Sequence, residues 1–237
     1  MAKPNDQKRP AKLVLRITLL VIVLMLAVLG LIATRNGRRL AEAHPTTGSA
    51  VTLTTGEILE VDPHLPVEQD PCVNEAVAAD LPRFISIPSA NVDRACVRHV
   101  GYSNIDNPDG STSRQILTAS NARHVGWYRY SARPDDTGAV FVSGHSSNDF
   151  PAVFNDLRHL KVGETITIET GDGRRFHYRV FETLTMSIAE ANLHMPTMLS
   201  SLGSSSLSIV TCTGRWLHNQ RTMENRVMVR AHLERVE

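Results

Sequence analysis

From residue 82 to the C terminus, the chain is cut into short, β-branched apolar runs by clusters of glycine, proline, asparagine and aspartate. That texture argues against a helical bundle, whose apolar positions recur with helical spacing over longer windows, and for an all-β domain. Candidate strands are RFISIPSANV (83–92), ACVRHVGY (95–102), GAVFVSGH (138–145), SSLSIVTC (205–212) and NRVMVRAHLERV (225–236). ETITIET (164–170) and RRFHYRVFETLTM (174–186) alternate on both arms around Gly171-Asp172-Gly173, which reads as a hairpin. GAVFVSGH is continuously apolar, the pattern of a strand buried on both faces. Two segments look helical, 151–160 and 188–202, with Pro196 expected to break or kink the second. Seven or eight strands with few helices imply one mostly-β domain over residues 82–237, either a closed barrel or a sandwich.

The front of the chain has another character. Residues 17–34, ITLLVIVLMLAVLGLIAT, carry no charge and are long enough to cross a hydrocarbon core of roughly 30 Å. The run exceeds the apolar core of a signal peptide, although Ala41-Glu42-Ala43 offers a cleavage-like site, so an uncleaved anchor is expected. Lys3, Lys8, Arg9, Lys12 and Arg16 precede it and Arg35, Arg38 and Arg39 follow it. This excess places 1–16 in the cytoplasm and the rest of this single-pass protein outside the cell membrane. Residues 35–81 lack sustained periodicity and read as a linker, in which Pro45-Thr46-Thr47-Gly48 is either a turn or a degenerate sorting signal. The formal net charge of +1 hides a division: residues 1–39 hold eight basic and one acidic side chain, the remainder 17 basic and 23 acidic. A mildly acidic outer domain is not a nucleic-acid binder.

An exported domain can keep disulfides, so three cysteines leave one to be explained. Cys72 and Cys96 either bridge the linker to the first strands or pack as small hydrophobes. Cys212 ends an apolar strand at the domain rim, and a thiol there is useful chemically only beside a base. Most of the ten histidines sit among polar neighbours and read as surface: His99, His124, His159, His177, His194, His218 and His232. His145 differs, because it ends the buried GAVFVSG run and opens a polar loop. The third need is a donor for an oxyanion. If the strand ending at Cys212 pairs antiparallel with one starting near Asn225, across a loop 213–225, Arg226 lies beside Cys212. Arg230 then lies about 13 Å deeper, and Arg215 and Arg221 compete only from the loop.

Cys212, His145 and Arg226 in that setting resemble the sortases, cysteine transpeptidases of Gram-positive surfaces. Ser208-Ile209-Val210-Thr211-Cys212 is similar to their T-L-x-T-C motif, with Ser for Thr and Ile for Leu. FISIPSANV, the segment 125–147 and AVFNDLRHLKVGETI extend the likeness over about 82–236, and Gly126-Trp127-Tyr128 with Gly144-His145 resembles the actinobacterial class F branch. Many relatives carry an aspartate soon after the histidine, where this chain has Ser146 and Ser147. The resemblance implies a closed eight-stranded sortase-type barrel with short helices, behind one transmembrane helix, whose fourth, seventh and eighth strands carry the His, Cys and Arg. It further implies cleavage of an LPxTG-like sorting-signal peptide between Thr and Gly. The acyl group passes through a Cys212 thioester to an amine acceptor, a peptidoglycan precursor or a pilin lysine, or to water. Thr211 is expected to line the substrate site and 187–206 to shape its groove; no metal or cofactor is called for.

Two other readings fit less well. An L,D-transpeptidase-like enzyme expects histidine and cysteine close together in sequence, and here His145 and Cys212 are far apart. A membrane-anchored scaffold with no activity is favoured by loss of one of the three residues, and all three are present.

Overall fold

A computed structural model of the chain describes residues 51–53, 71–106 and 109–237. The cytoplasmic tail, the expected membrane span at 17–34 and the Pro45–Gly48 run lie outside the described residues. Among the described residues no helix is long and apolar enough to cross a membrane. Eleven strands follow in chain order: β1 Val51–Leu53, β2 Pro82–Ile87, β3 Val92–Val100, β4 Tyr102–Asp106, β5 Thr112–Ile116, β6 Val125–Tyr128, β7 Gly138–Gly144, β8 Thr165–Thr170, β9 Arg175–Ser187, β10 Ser205–Leu217 and β11 Thr222–Val236. Among the described residues one α-helix, α1, spans Ile188–Leu199.

Eight strands close a barrel in the order β10-β11-β9-β8-β2-β3-β6-β7, and β1, β5 and β4 form a separate small sheet. Closure settles the choice between barrel and sandwich, and leaves no open edge. Two barrel pairs are parallel, β3 with β6 and β7 with β10. Parallel neighbours need long crossovers, and the second is made by everything from β8 to α1. The interior holds Ile85, Val142, Ile168, Phe176, Ile209 and Val229 among others. A second apolar layer lies outside the barrel, where Phe141, Val210 and Met228 meet Ala191, Met195 and Met198 of α1 and Ile116 of β5. The two layers explain why β7 is buried along its whole length, as its unbroken apolar sequence predicts.

The expected helix at 151–160 is instead a series of turns with a 3-10 segment at Leu157–His159. The backbone N–H groups of Val153 and Phe154 donate to the carbonyls of Ala122 and His145, and the Asn155 side chain bonds Ser147 and Phe150. Further along, the N–H groups of Asn155, Leu157, His159 and Leu160 each bond the carbonyl three residues back, closing tight turns where an α-helix would bond four back. In α1, Ser187 and Glu190 form a capping box, and Pro196 lies inside the helix without ending it before Leu199. Met195 and Met198, on either side of Pro196, are fully buried, so packing carries the last turn past the missing backbone bond. The β4–β5 hairpin is too polar to stand out in sequence, and pairs Tyr102 with Ile116. His124 and His177, read as surface residues, are buried.

Residues 71–81 of the linker are bonded to the barrel. A disulfide joins Cys72 to Cys96 of β3 with Cα atoms 6.3 Å apart. Gly171 and Asp172 donate backbone bonds to the carbonyls of Leu81 and Ala79, and Arg98 pairs with Glu75.

Candidate active site

The parallel register of β7 and β10 is the element from which the site is built. Gly138 pairs with Ser205 and each following residue keeps step, as far as Ser143 with Val210. The step continues in the Thr211 hydroxyl, which donates to the Gly144 carbonyl at 2.8 Å. His145, just past the end of β7, and Cys212, within β10, therefore stand at the same height on neighbouring strands. On the other side of β10, Cys212 pairs with Arg226 of β11, and Arg226 in turn pairs with Met186 of β9. Side chains alternate across a sheet, so these residues share a face with Phe141, Val210 and Met228, the outer face covered by α1. His145, Cys212 and Arg226 form one row across β7, β10 and β11, which are the fourth, seventh and eighth strands of the barrel in chain order.

The rival arginines lie elsewhere. Arg226 is 3 % exposed, whereas Arg215 points outward to pair with Glu224 and Arg230 lies deeper beside Glu182. The segment 213–225 is mostly strand: β10 runs on to Leu217 and β11 resumes at Thr222. Two donors of Arg226 reach backbone carbonyls, Nη1 bonding those of Met223 at 2.9 Å and Asn225 at 3.0 Å, while Nη2 donates to the Thr222 hydroxyl at 2.9 Å.

His145 is buried, and its Nε2 lies 2.9 Å from the Ala119 carbonyl. A carbonyl only accepts, so the neutral ring carries its proton on Nε2 and Nδ1 is left as the basic nitrogen. Burial pushes the imidazole below its ordinary pKa, with the Ala119 carbonyl acting against that shift. Cys212 is free and half-buried. Burial pushes its thiol up, opposed by the Arg226 charge and by a hydrogen bond from Thr222. Both shifts favour a neutral thiol beside a neutral ring at rest.

Asn148 Nδ2 donates to the Gly214 carbonyl at 3.0 Å, linking the segment after His145 to the segment after Cys212. The Ser147 hydroxyl, near where relatives have the aspartate, accepts the backbone N–H of Asp149. Thr211 is buried, and its hydroxyl is spent on Gly144. Beyond Arg226 lies a cavity of about 410 Å³ lined by Thr185, Met186, Glu190, Leu193 and His194, between the end of β9 and α1. Among the described residues, Cys72, Cys96 and His124 hold ligand-type atoms within 4.8 Å of one another. With both sulfurs in the disulfide, that group offers a metal no thiolate.

Sequence reasoning missed Thr222, Asn148, Met186 and the Ala119 carbonyl. Thr222 is hidden in sequence because the loop expected at 213–225 is a short turn between β10 and β11, and a backbone carbonyl has no sequence signal at all.

A family model described as the sortase domain matches residues 85–234. Solved structures similar to the chain include sortase A of Listeria monocytogenes, at 18% identity over 67% of this chain and 90% of that one, TM-score 0.47. Sortase A of Corynebacterium diphtheriae is 21% identical over 66% of this chain and 62% of that one, TM-score 0.46. A sortase D5 transpeptidase of Clostridium perfringens is 21% identical over 69% and 84%, TM-score 0.45. No curated protein sequence matches significantly.

Proposed function

The chain belongs to the sortase family, and from that premise we propose that it is a membrane-anchored cysteine transpeptidase acting on LPxTG-like sorting signals outside the cell. Within the family, Gly126-Trp127-Tyr128 and Gly144-His145 favour the class F-like branch. Cys212 is the nucleophile: its thiolate attacks the carbonyl carbon of the signal's threonine. The oxyanion that forms takes hydrogen bonds from Arg226, whose guanidinium is held in advance, so little reorganisation is needed as charge develops. The Thr–Gly bond then breaks, protonated His145 gives its proton to the departing glycine amine, and a thioester to Cys212 remains. An incoming amine, from a wall precursor or a pilin lysine, loses its proton to His145 and attacks the thioester, restoring the thiol; water in its place gives hydrolysis. The apolar, charge-free run at 17–34 supplies the anchor, with the N terminus cytoplasmic.

The observation that carries this reading is the β7–β10–β11 register, which sets His145, Cys212 and Arg226 in one row. The test is cleavage of a fluorescence-quenched LPxTG peptide by the full chain in detergent. Cys212→Ala abolishes cleavage and the thioester adduct seen by mass spectrometry; His145→Ala and Arg226→Ala each reduce kcat/KM at least about 100-fold. Cleavage that survives Cys212→Ala sinks the mechanism, and absence of any adduct with the native chain favours a non-catalytic scaffold.

A further inference from the structure

The other parallel pair of the barrel also sets a cysteine beside a histidine. Val97 of β3 pairs with Val125 of β6 and the strands keep step, so one residue earlier Cys96 stands opposite His124. Val97 and Val125 belong to the interior, and alternation turns Cys96 and His124 outward. Cys72 reaches the same spot from the incoming segment, where Phe84 of β2, the pairing partner of Cys96, packs against both sulfur-bearing residues. All three side chains are buried, and their two sulfurs and a ring nitrogen lie within 4.8 Å of one another. Asn121 orients the ring: its Oδ1 accepts the Arg123 N–H at 2.8 Å, which leaves Nδ2 facing His124 Nε2 at 3.3 Å. An amide nitrogen only donates, so the ring presents a lone pair at Nε2.

We propose that Cys72, Cys96 and His124 form a redox-gated cation site, which in the reduced protein binds a divalent cation of the zinc class. Two thiolates and one imidazole are the donor set that a borderline-soft ion selects, with a fourth position left for water. In the oxidised protein the sulfurs are bonded to each other and the site is closed to metal. The interconversion balances. A dithiol reductant gives two electrons and two protons to the bridge and becomes a disulfide itself; the two thiols then release their protons as the cation binds. A disulfide oxidant takes the two electrons back, restores the bridge and expels the cation. Little of the backbone has to move. At a metal–sulfur distance of about 2.3 Å, two tetrahedral sulfurs lie about 3.8 Å apart, a separation that side-chain rotation supplies. Cys96 and His124 are held by strand pairing whether or not the bridge is closed. The cation ties the incoming segment to β3 and to the start of β6, where the disulfide ties it to β3 alone.

The test needs no peptide, so its outcome stands whether or not the chain turns over sorting signals. It uses the untagged full chain in detergent with Cys212→Ala, which removes the other cysteine–histidine pair. After reduction with a phosphine and its removal without air, Co2+ gives sulfur-to-cobalt charge-transfer absorption and the visible bands of a tetrahedral ion. Zn2+ bleaches these bands at about one equivalent per chain and raises the melting temperature of the reduced chain. The oxidised chain shows neither effect. His124→Ala binds Zn2+ at least about 100-fold more weakly once reduced; should that variant not fold, Cys72→Ser is read by the same criterion. A reduced chain that takes up no Co2+ overturns the inference, as do equal uptake by the reduced and oxidised chains and a variant that binds as tightly as its parent. Uptake with no rise in melting temperature also overturns it, since that reports thiols bound in an opened segment.

Discussion

Cys212 and His145 are displaced in opposite directions by the same cause. Burial raises the thiol and lowers the imidazole, and the opposing contacts, Arg226 and Thr222 on one side and the Ala119 carbonyl on the other, act against the shifts. A mechanism that needs thiolate and imidazolium together then works through a minor protonation state, whose fraction is constant between the two pKa values. The expected kcat/KM profile is a broad plateau. It falls on the acid side only below the ordinary histidine value and on the alkaline side only above the ordinary thiol value. Peptide cleavage measured across pH checks this, and an acid limb above the ordinary histidine value would contradict the burial argument. Arg226→Gln removes the charge that favours thiolate, so its alkaline limb moves higher still. The three residues of the row are legible as reactive groups bordering apolar runs, although only His145 stands at a strand end and Cys212 and Arg226 lie within β10 and β11. The contacts that tune them are not legible, because Thr222 and Ala119 reach the site from segments whose path only the fold defines.

At the scale of the element, small residues decide how closely the strands and their covers approach. A Cβ on Gly144 would lie 2.5 Å from Phe154 Cδ2 and 2.8 Å from Val153 Cγ1. Gly144 directly precedes His145, and the Phe154 N–H bonds the His145 carbonyl, so a push on Phe154 is felt at the histidine. Gly144→Ala is expected to lower stability by about 1–3 kcal/mol in a denaturant melt, and to lower kcat in the fraction that folds. The capping box of α1 makes a separate prediction. Ser187→Ala removes the Ser187–Glu190 exchange and costs about 1 kcal/mol. The hairpin at 164–186 and the buried character of β7 could be read from alternation and apolar run length. The expected helix at 151–160 shows the limit of such reading: its pattern is helical, but its backbone closes i→i−3 turns while Val153 and Phe154 are tied to Ala122 and His145.

At the scale of the whole molecule, the barrel reaches back into the segment that precedes it. A Cβ on Gly171 would lie 2.3 Å from the carbonyl oxygens of both Val77 and Ala78, so only glycine lets the incoming chain lie against the β8–β9 turn. With the Cys72–Cys96 disulfide and the Arg133–Asp80 pair, these contacts make residues 71–81 part of what unfolds cooperatively. Replacing both Cys72 and Cys96 by serine is expected to lower unfolding free energy by about 3 kcal/mol in denaturant titrations, given a sequence separation of 24 residues. A fragment 82–237 melts below a fragment 71–237, and equal melting would show the segment to be passive. The sequence by itself determined a β domain, an apolar run at 17–34 and three reactive side chains bordering apolar runs, because alternation, run length and residue chemistry are local properties. Only the tertiary structure decided that the sheet closes, that β7 and β10 run parallel, and that His145, Cys212 and Arg226 stand in one row with Thr222 bonded to the guanidinium. Register between distant strands is set by the packing of both apolar layers at once, and a one-residue slip on any strand would turn its side chain to the other face.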